Sequence, residues 1–171
     1  STTMQAYKLM SRQSDYPLHL GVTEAGTKRM GTLKSAAGIG GLLGLGIGDT
    51  LRVTLTAEPV EEVYAAKDIL KAVGLRRDGP DLIACPTCGR TKIDLIPLDP
   101  AVEERLKDVK KPITVAVMGC VVNGPGEAAA ADVGIAGGNG FGILFRHGEV
   151  LKKVPQEALL DELMQLIDEI P

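Results

Sequence analysis

The sequence predicts an α/β segment followed by an α+β domain, and three observations carry that reading. Helix and strand patterns alternate one for one up to residue 73. A polar run, Arg76, Arg77, Asp78, Gly79 and Pro80, then interrupts them and reads as a linker. Beyond it, short strands come in clusters around two helical patterns, and all three cysteines fall there.

Residues 3–13 carry a helical pattern, and residues 17–23 (PLHLGVT) read as a short strand. Residues 27–45 place apolar and small residues at helical spacing. Gly38, Gly40, Gly41 and Gly44 would each weaken that helix by up to about 1 kcal/mol relative to Ala, so close packing against a neighbour is expected to compensate. Residues 46–49 are a turn, and residues 50–56 (TLRVTLT) alternate as a strand does. Residues 59–73 form the next helix, with Val63, Ala66, Leu70 and Val73 as its expected buried stripe. Pro59 suits its first turn and Gly74 its stop. This is the rhythm of a parallel sheet with helical crossovers. Two strands do not close a domain, so residues 1–78 are expected to be the C-terminal part of a larger α/β unit such as a TIM barrel. The chain also opens on Ser1 rather than Met. It therefore reads as part of a longer chain or as a trimmed one.

Residues 79–171 are expected to form the second domain. Residues 81–84 are a short strand running into Cys85, residues 92–96 a strand, and residues 100–109 a helix with a charged face. Residues 113–118 are a strongly apolar strand that runs into Gly119 and Cys120. Residues 132–136 and 141–145 are strands around an Asn139–Gly140 hairpin turn. Residues 149–154 add a strand after a turn at His147 and Gly148, and residues 155–170 close the chain as a helix burying Leu159, Leu163, Leu166 and Ile170.

The bulk numbers exclude several classes. The chain has 171 residues, of which 44% are hydrophobic, enough for a packed core. Lys and Arg total 19 against 22 Asp and Glu, a net charge of −3, so no basic surplus marks a nucleic-acid footprint. With two Phe, three Tyr and no Trp, it lacks a base-stacking platform. No apolar run has the length of a membrane span, and no segment is organised as a signal peptide. A cytoplasmic, non-membrane protein is expected. An odd count of three cysteines makes a poor disulfide framework, and a reducing compartment with thiols kept for metal work fits better.

The cysteines sit in two segments. Cys85-Pro-Thr-Cys88 is a C-x-x-C turn that brings two thiolates to one centre. The second segment, from Met118 to Glu127, is a buried strand ending at Cys120 and opening into a Gly/Pro loop. Three thiolates complete neither the four-cysteine set of an iron–sulfur cluster nor a closed zinc site. His19 and His147 lack finger-like spacing from the cysteines. A carboxylate is a candidate fourth ligand, and Glu127 is the one nearest Cys120 in a loop. On these residues alone, a structural zinc site and an iron–sulfur cluster both stand, and Glu127 by itself reads as a solvated or helix-capping carboxylate.

The segments ACPTCGR at 84–90 and GCVVNGPGEA at 119–128 closely resemble the motifs of the 4-hydroxy-3-methylbut-2-enyl diphosphate synthase family of non-mevalonate isoprenoid biosynthesis. The resemblance extends to LHLGVTEAGTKRMGTLKSAAGIGG at 18–41 and IGDTLRVTLTAEPVEEV at 47–63. It implies the last βα units of a TIM barrel joined to an α+β iron–sulfur domain. It implies a 4Fe–4S cluster held by Cys85, Cys88, Cys120 and Glu127, with Asn123 beside the substrate. It implies an oxidoreductase that opens 2-C-methyl-D-erythritol 2,4-cyclodiphosphate reductively, with flavodoxin or ferredoxin as electron donor and a homodimer as the working form.

Strand 50–56 turns Arg52, Thr54 and Thr56 to one face and Leu51, Val53 and Leu55 to the other. A polar inner face in a barrel points to a ligand cavity, since filled interiors are apolar. The alternative is a solvated edge strand. The resemblance implies that Arg52 and Thr54 bind substrate and that Glu24 is a proton donor beside it. Lys28, Arg29 and Lys34 read as surface charges, and the glycines at 38–48 do not form a nucleotide loop. With most barrel strands absent, this chain alone is expected not to turn over. The rival to an enzyme is a non-catalytic zinc-binding interaction module.

Overall fold

The computed structural model describes residues 2–24 and 26–171. The chain divides into two units, Ser1–Arg76 and Arg77–Pro171.

In the first unit, helix α1 (Thr2–Gln13) precedes strand β1 (His19–Gly21). Helix α2 (Lys28–Ser35) runs through a π-helical turn (Ala36–Gly40) into the short α3 (Gly41–Leu43). Strand β2 (Thr50–Arg52) and helix α4 (Pro59–Ala72) complete it. β1 and β2 pair in parallel, with Leu20 opposite Leu51. Their shared core is Leu20, Ile39, Leu42, Val53, Leu55, Ala65 and Ile69. The expected helix over 27–45 is thus present but widened midway. Close packing does offset its glycines: a Cβ would lie 2.9 Å from Val22 Cγ2 at Gly38 and 2.9 Å from Met4 Cε at Gly41.

Two strand readings are too long. β1 covers three residues of the expected 17–23, and β2 three of 50–56. Past Arg52 the chain leaves the ladder, and Leu55 N–H donates to Glu62 Oε1 at 2.9 Å. It pairs again through an isolated parallel bridge, Thr27 to Thr56. The stripe on α4 also needs correction. Ala65 and Ile69 are its buried residues, whereas Val63 is 51% exposed. Small Ala65 and branched Ile69, four apart on one face, pack onto the π-helical turn region, and Val73 Cγ1 lies 3.4 Å from where a Cβ on Gly40 would stand.

The second unit is a five-stranded sheet in the order β3-β4-β5-β6-β7. Its strands are β3 (Asp81–Ala84), β4 (Thr114–Met118), β5 (Val133–Gly137), β6 (Phe141–Arg146) and β7 (Glu149–Pro155). The first three are parallel and the last two antiparallel, so a βαβ half meets a meander. Helix α5 (Leu95–Leu106) crosses from β3 to β4, the short α6 (Gly124–Glu127) lies between β4 and β5, and α7 (Leu159–Asp168) ends the fold. One face of the sheet packs Val115, Val117, Ile135 and Leu144 with residues of α5 and α7. The other packs Ala116, Met118, Ala136, Ile143 and Phe145 with Ala128 and Ala131. Each fully buried aliphatic side chain here contributes about 1.5–3 kcal/mol relative to exposure. Lys111 Nζ donates to the carbonyls of Ile167 (3.0 Å), Asp168 (3.1 Å) and Ile170, closing the end of α7.

The expected strand at 92–96 does not exist. Ile93 and Leu95 are buried, as alternation demands, but α5 already begins at Leu95, five residues before the helix read from sequence. Pro97 falls in the first turn, where its missing N–H has no helical partner to lose. Pro100 lies inside the helix.

Candidate functional site

β3, β4 and β5 run in parallel, so their carboxyl ends share one edge of the sheet. In open sheets with parallel strands, that edge is where ligands bind. Ala84, the last residue of β3, pairs with Val117 of β4. Cys85 follows directly, and Gly119 and Cys120 follow the end of β4. The folding of these strands thus delivers both cysteine segments to one edge.

The loop between Cys85 and Lys92 is pinned to β4 at both ends. Cys85 N–H donates to Val117 O at 3.0 Å, and Lys92 N–H donates to Gly119 O at 2.8 Å. Within it, Thr91 N–H donates to Cys88 O at 3.0 Å and closes a turn. Cys88 N–H donates to Thr91 Oγ1 at 3.0 Å. Thr91 was not singled out from the sequence. The available signal was a hydroxyl residue three positions after a cysteine, the spacing of a local side-chain turn.

All three thiols are free: Cys85 half-buried, Cys88 exposed and Cys120 buried at 8% exposure. The Arg90 backbone N–H, with the Thr91 hydroxyl next in weight, holds the Cys88 thiol below its ordinary value. A lowered thiol is the form that ligates metal, since the thiolate is the ligand. Among the described residues, no group of three or more His, Cys, Asp and Glu side chains is arranged to hold a metal ion.

After Cys120 the chain turns tightly. Val121 N–H donates to Gly137 O at 2.9 Å, and Gly124 N–H donates to Cys120 O at 3.0 Å. The expected Gly/Pro loop is here the one-turn helix α6, with Pro125 in its first turn. Asn123 and Glu127 stand one turn apart, and Asn123 Nδ2 donates to Glu127 Oε1 at 3.3 Å. Glu127 is exposed and Asn123 half-buried. Cys120, Asn123 and Glu127 therefore belong to one short segment anchored to β4 and β5.

The first unit holds the other three candidates. Arg52 ends β2 and is exposed, Thr54 is half-buried, and Val53 and Leu55 between and beyond them are buried. The Arg52 side chain lies across β1: a Cβ on Gly21 would be 2.9 Å from its Nε. Glu24 is exposed in the segment after β1, and its carbonyl accepts a hydrogen bond from Lys34 Nζ at 3.0 Å. Lys28, read from the sequence as a surface charge, pairs with Glu61 at 2.6 Å. Arg52 thus closes β2, and Thr54 and Glu24 follow the carboxyl ends of β2 and β1.

Comparison with known proteins agrees with this division. The family model for the GcpE protein C-terminal domain matches residues 81–169, and that for the GcpE TIM-barrel domain matches residues 1–67. The chain is 59% identical over 169 residues to a 4-hydroxy-3-methylbut-2-en-1-yl diphosphate synthase (flavodoxin) of Clostridium perfringens, covering 99% of this chain and 48% of that protein. Proteins of the same name from Fusobacterium nucleatum (60% over 166 residues; 97% of this chain, 47% of that one) and Caldanaerobacter subterraneus (58% over 168 residues; 98% and 47%) are similarly related. The chain spans about half the length of the curated relatives it matches. No helix among the described residues is long and apolar enough to cross a membrane. On matches that take in all five strands of the second unit and most of the unit before it, the chain belongs to the GcpE family.

Proposed function

We propose that this chain is the C-terminal part of an enzyme that opens 2-C-methyl-D-erythritol 2,4-cyclodiphosphate reductively to hydroxymethylbutenyl diphosphate. The observation that carries the proposal is the pinning of the Cys85–Cys88 loop and of the segment through Cys120 to the end of one strand, β4. That arrangement is joined to 55–60% identity with proteins named for forming this product.

The donor set suits a 4Fe–4S cluster. The thiolates of Cys85, Cys88 and Cys120 would hold it, and Glu127, on the one-turn helix that follows Cys120, would supply a carboxylate. A carboxylate is a harder and more readily displaced ligand of iron than a thiolate. When bound, such a cluster would supply electrons to the substrate one at a time. The net reaction takes up two electrons and two protons, opens one ring C–O bond and releases one water.

The remaining roles belong to the chain's own residues. The Arg52 guanidinium would bind diphosphate oxygens through its N–H groups, with the Thr54 hydroxyl beside it. Asn123 holds Glu127 through its amide and would meet the substrate there. Glu24 would give the proton that lets the hydroxyl leave as water. The relatives' names point to flavodoxin as the electron donor, with ferredoxin as a chemical equivalent. The working form would be a cytoplasmic homodimer in which one subunit's barrel faces the other's cluster domain. The first unit would then be part of a TIM barrel (residues 1–78) and the second the cluster domain (residues 79–171).

The test is anaerobic analysis of the purified chain for iron, labile sulfide and zinc. Brown protein with iron and sulfide near four per chain is expected on the composition of the cluster. Colourless protein carrying zinc would instead support a non-catalytic zinc module, a reading that nothing in the relatives favours.

A further inference from the structure

The loop that starts at Cys85 leaves β4 at Val117 and returns to it at Gly119. Thr91 is the last residue before it returns. Its Oγ1 accepts the Cys88 N–H at 3.0 Å and donates toward Cys88 Sγ at 3.9 Å. A hydroxyl can do both, because it carries one donor proton and two acceptor lone pairs. The same oxygen lies 2.9 Å from where a Cβ on Gly119 would stand, and Thr91 Cγ2 lies 3.1 Å from that point. Gly119 immediately precedes Cys120. Thr91 therefore touches both cysteine segments, and only a glycine at 119 lets it sit this close.

We infer that Thr91 is a positioning residue for the ligand Cys88. Its hydroxyl fixes the direction of the sulfur and donates to the thiolate, and its seat on Gly119 holds that turn beside Cys120. The inference rests on the cluster reading above. A ligating thiolate carries negative charge, which grows when the cluster is reduced. A hydroxyl donor to that sulfur stabilises the reduced form more than the oxidised one and so raises the reduction potential. A residue that only closed the turn would leave the potential of a retained cluster unchanged.

Two variants separate these roles. Thr91→Val keeps the shape and removes the hydroxyl, while Thr91→Ser keeps the hydroxyl and removes the methyl. The whole chain and both variants are loaded anaerobically with iron and sulfide, and circular dichroism checks that each folds. In Thr91→Val, the midpoint potential is expected to become more negative. Its iron–cysteine sulfur stretching bands in resonance Raman spectra should shift, and iron should pass to a chelator several-fold faster. Thr91→Ser should match the parent, and a cluster held by Thr91→Ser but not by Thr91→Val supports the inference equally. A Thr91→Val protein with the parent's potential, bands and release rate overturns it. Equal loss in both variants overturns it too, since packing alone would then explain Thr91. Failure of the parent chain to bind any cluster is read without the variants; it removes the cluster reading and this inference with it.

Discussion

Gly124→Ala tests how the segment carrying Cys120, Asn123 and Glu127 is held against the sheet. A Cβ at position 124 would stand 2.7 Å from Met118 Cβ and 3.1 Å from Ala136 Cβ. Both are the first side-chain atoms of residues in adjacent strands, so neither can swing away by a rotamer change. Either α6 lifts from the sheet or β4 and β5 deform. Overpacking of this kind costs about 1–3 kcal/mol. Alanine returns about 0.5–1 kcal/mol by restricting the unfolded chain. At the midpoints of those ranges the net is a loss of about 1.25 kcal/mol from the second unit. For a domain of this size, each kcal/mol moves the midpoint by about 4–8 °C. A fall of about 5–10 °C is therefore expected in thermal unfolding followed by circular dichroism. Iron retention in loaded protein should fall as well, because lifting α6 carries Glu127 away from Cys120. An unchanged or higher midpoint would show that the Met118 and Ala136 contacts do not constrain the loop, and the reasoning would fail.

Three further outcomes are expected. Glu127→Ala should retain a cluster that loses one iron on mild oxidation, seen as a three-iron species by electron paramagnetic resonance; spectra identical to the parent's would remove Glu127 from the ligand set. Asp99→Asn should stabilise the chain at neutral pH, since burial raises the Asp99 carboxyl above its ordinary value and its Oδ1 is buried without a partner. A raised carboxyl contributes stability only while protonated, so the wild-type chain loses ground as pH rises through the folded-state value; the advantage of Asn should be largest at neutral pH and vanish below about pH 4, the ordinary Asp range. A difference in melting temperature that is constant with pH would contradict this. Finally, cluster-loaded chain should not turn over the cyclodiphosphate with a strong one-electron reductant, because the first unit supplies one strand pair against about eight strands in a closed barrel. Turnover like that of a full-length relative would refute it, and activity restored by a separately made N-terminal barrel fragment would support it.

The readable parts of this sequence are those where local pattern and tertiary need coincide. The run 113–118 is apolar at every position but Thr114 because β4 is an interior strand covered on both faces, and its abrupt end at Gly119 marks where Cys120 enters the sheet edge. The alternation of 50–56 correctly gives the faces of Val53 and Leu55, which are buried, even though only the first three residues join the ladder. Past the ladder's end, the Glu62 carboxylate reaches back seven residues to Leu55 N–H, a contact that no strand pattern encodes. The misread strand at 92–96 has the same origin. Ile93 and Leu95 alternate because both reach the core from a connecting segment: Ile93 fills the space beside Gly137, and Leu95 that beside Gly119. Burial, not pairing, wrote that pattern. The glycines at 119 and 137 looked like loop glycines in the sequence. They are instead the two surfaces onto which residues 91–95 fold, bringing Cys88 back over the end of β4. A cysteine spacing can announce that metal chemistry is intended, but the seat that holds the spacing in register is made of residues, Thr91 and Gly119, whose types carry no such announcement.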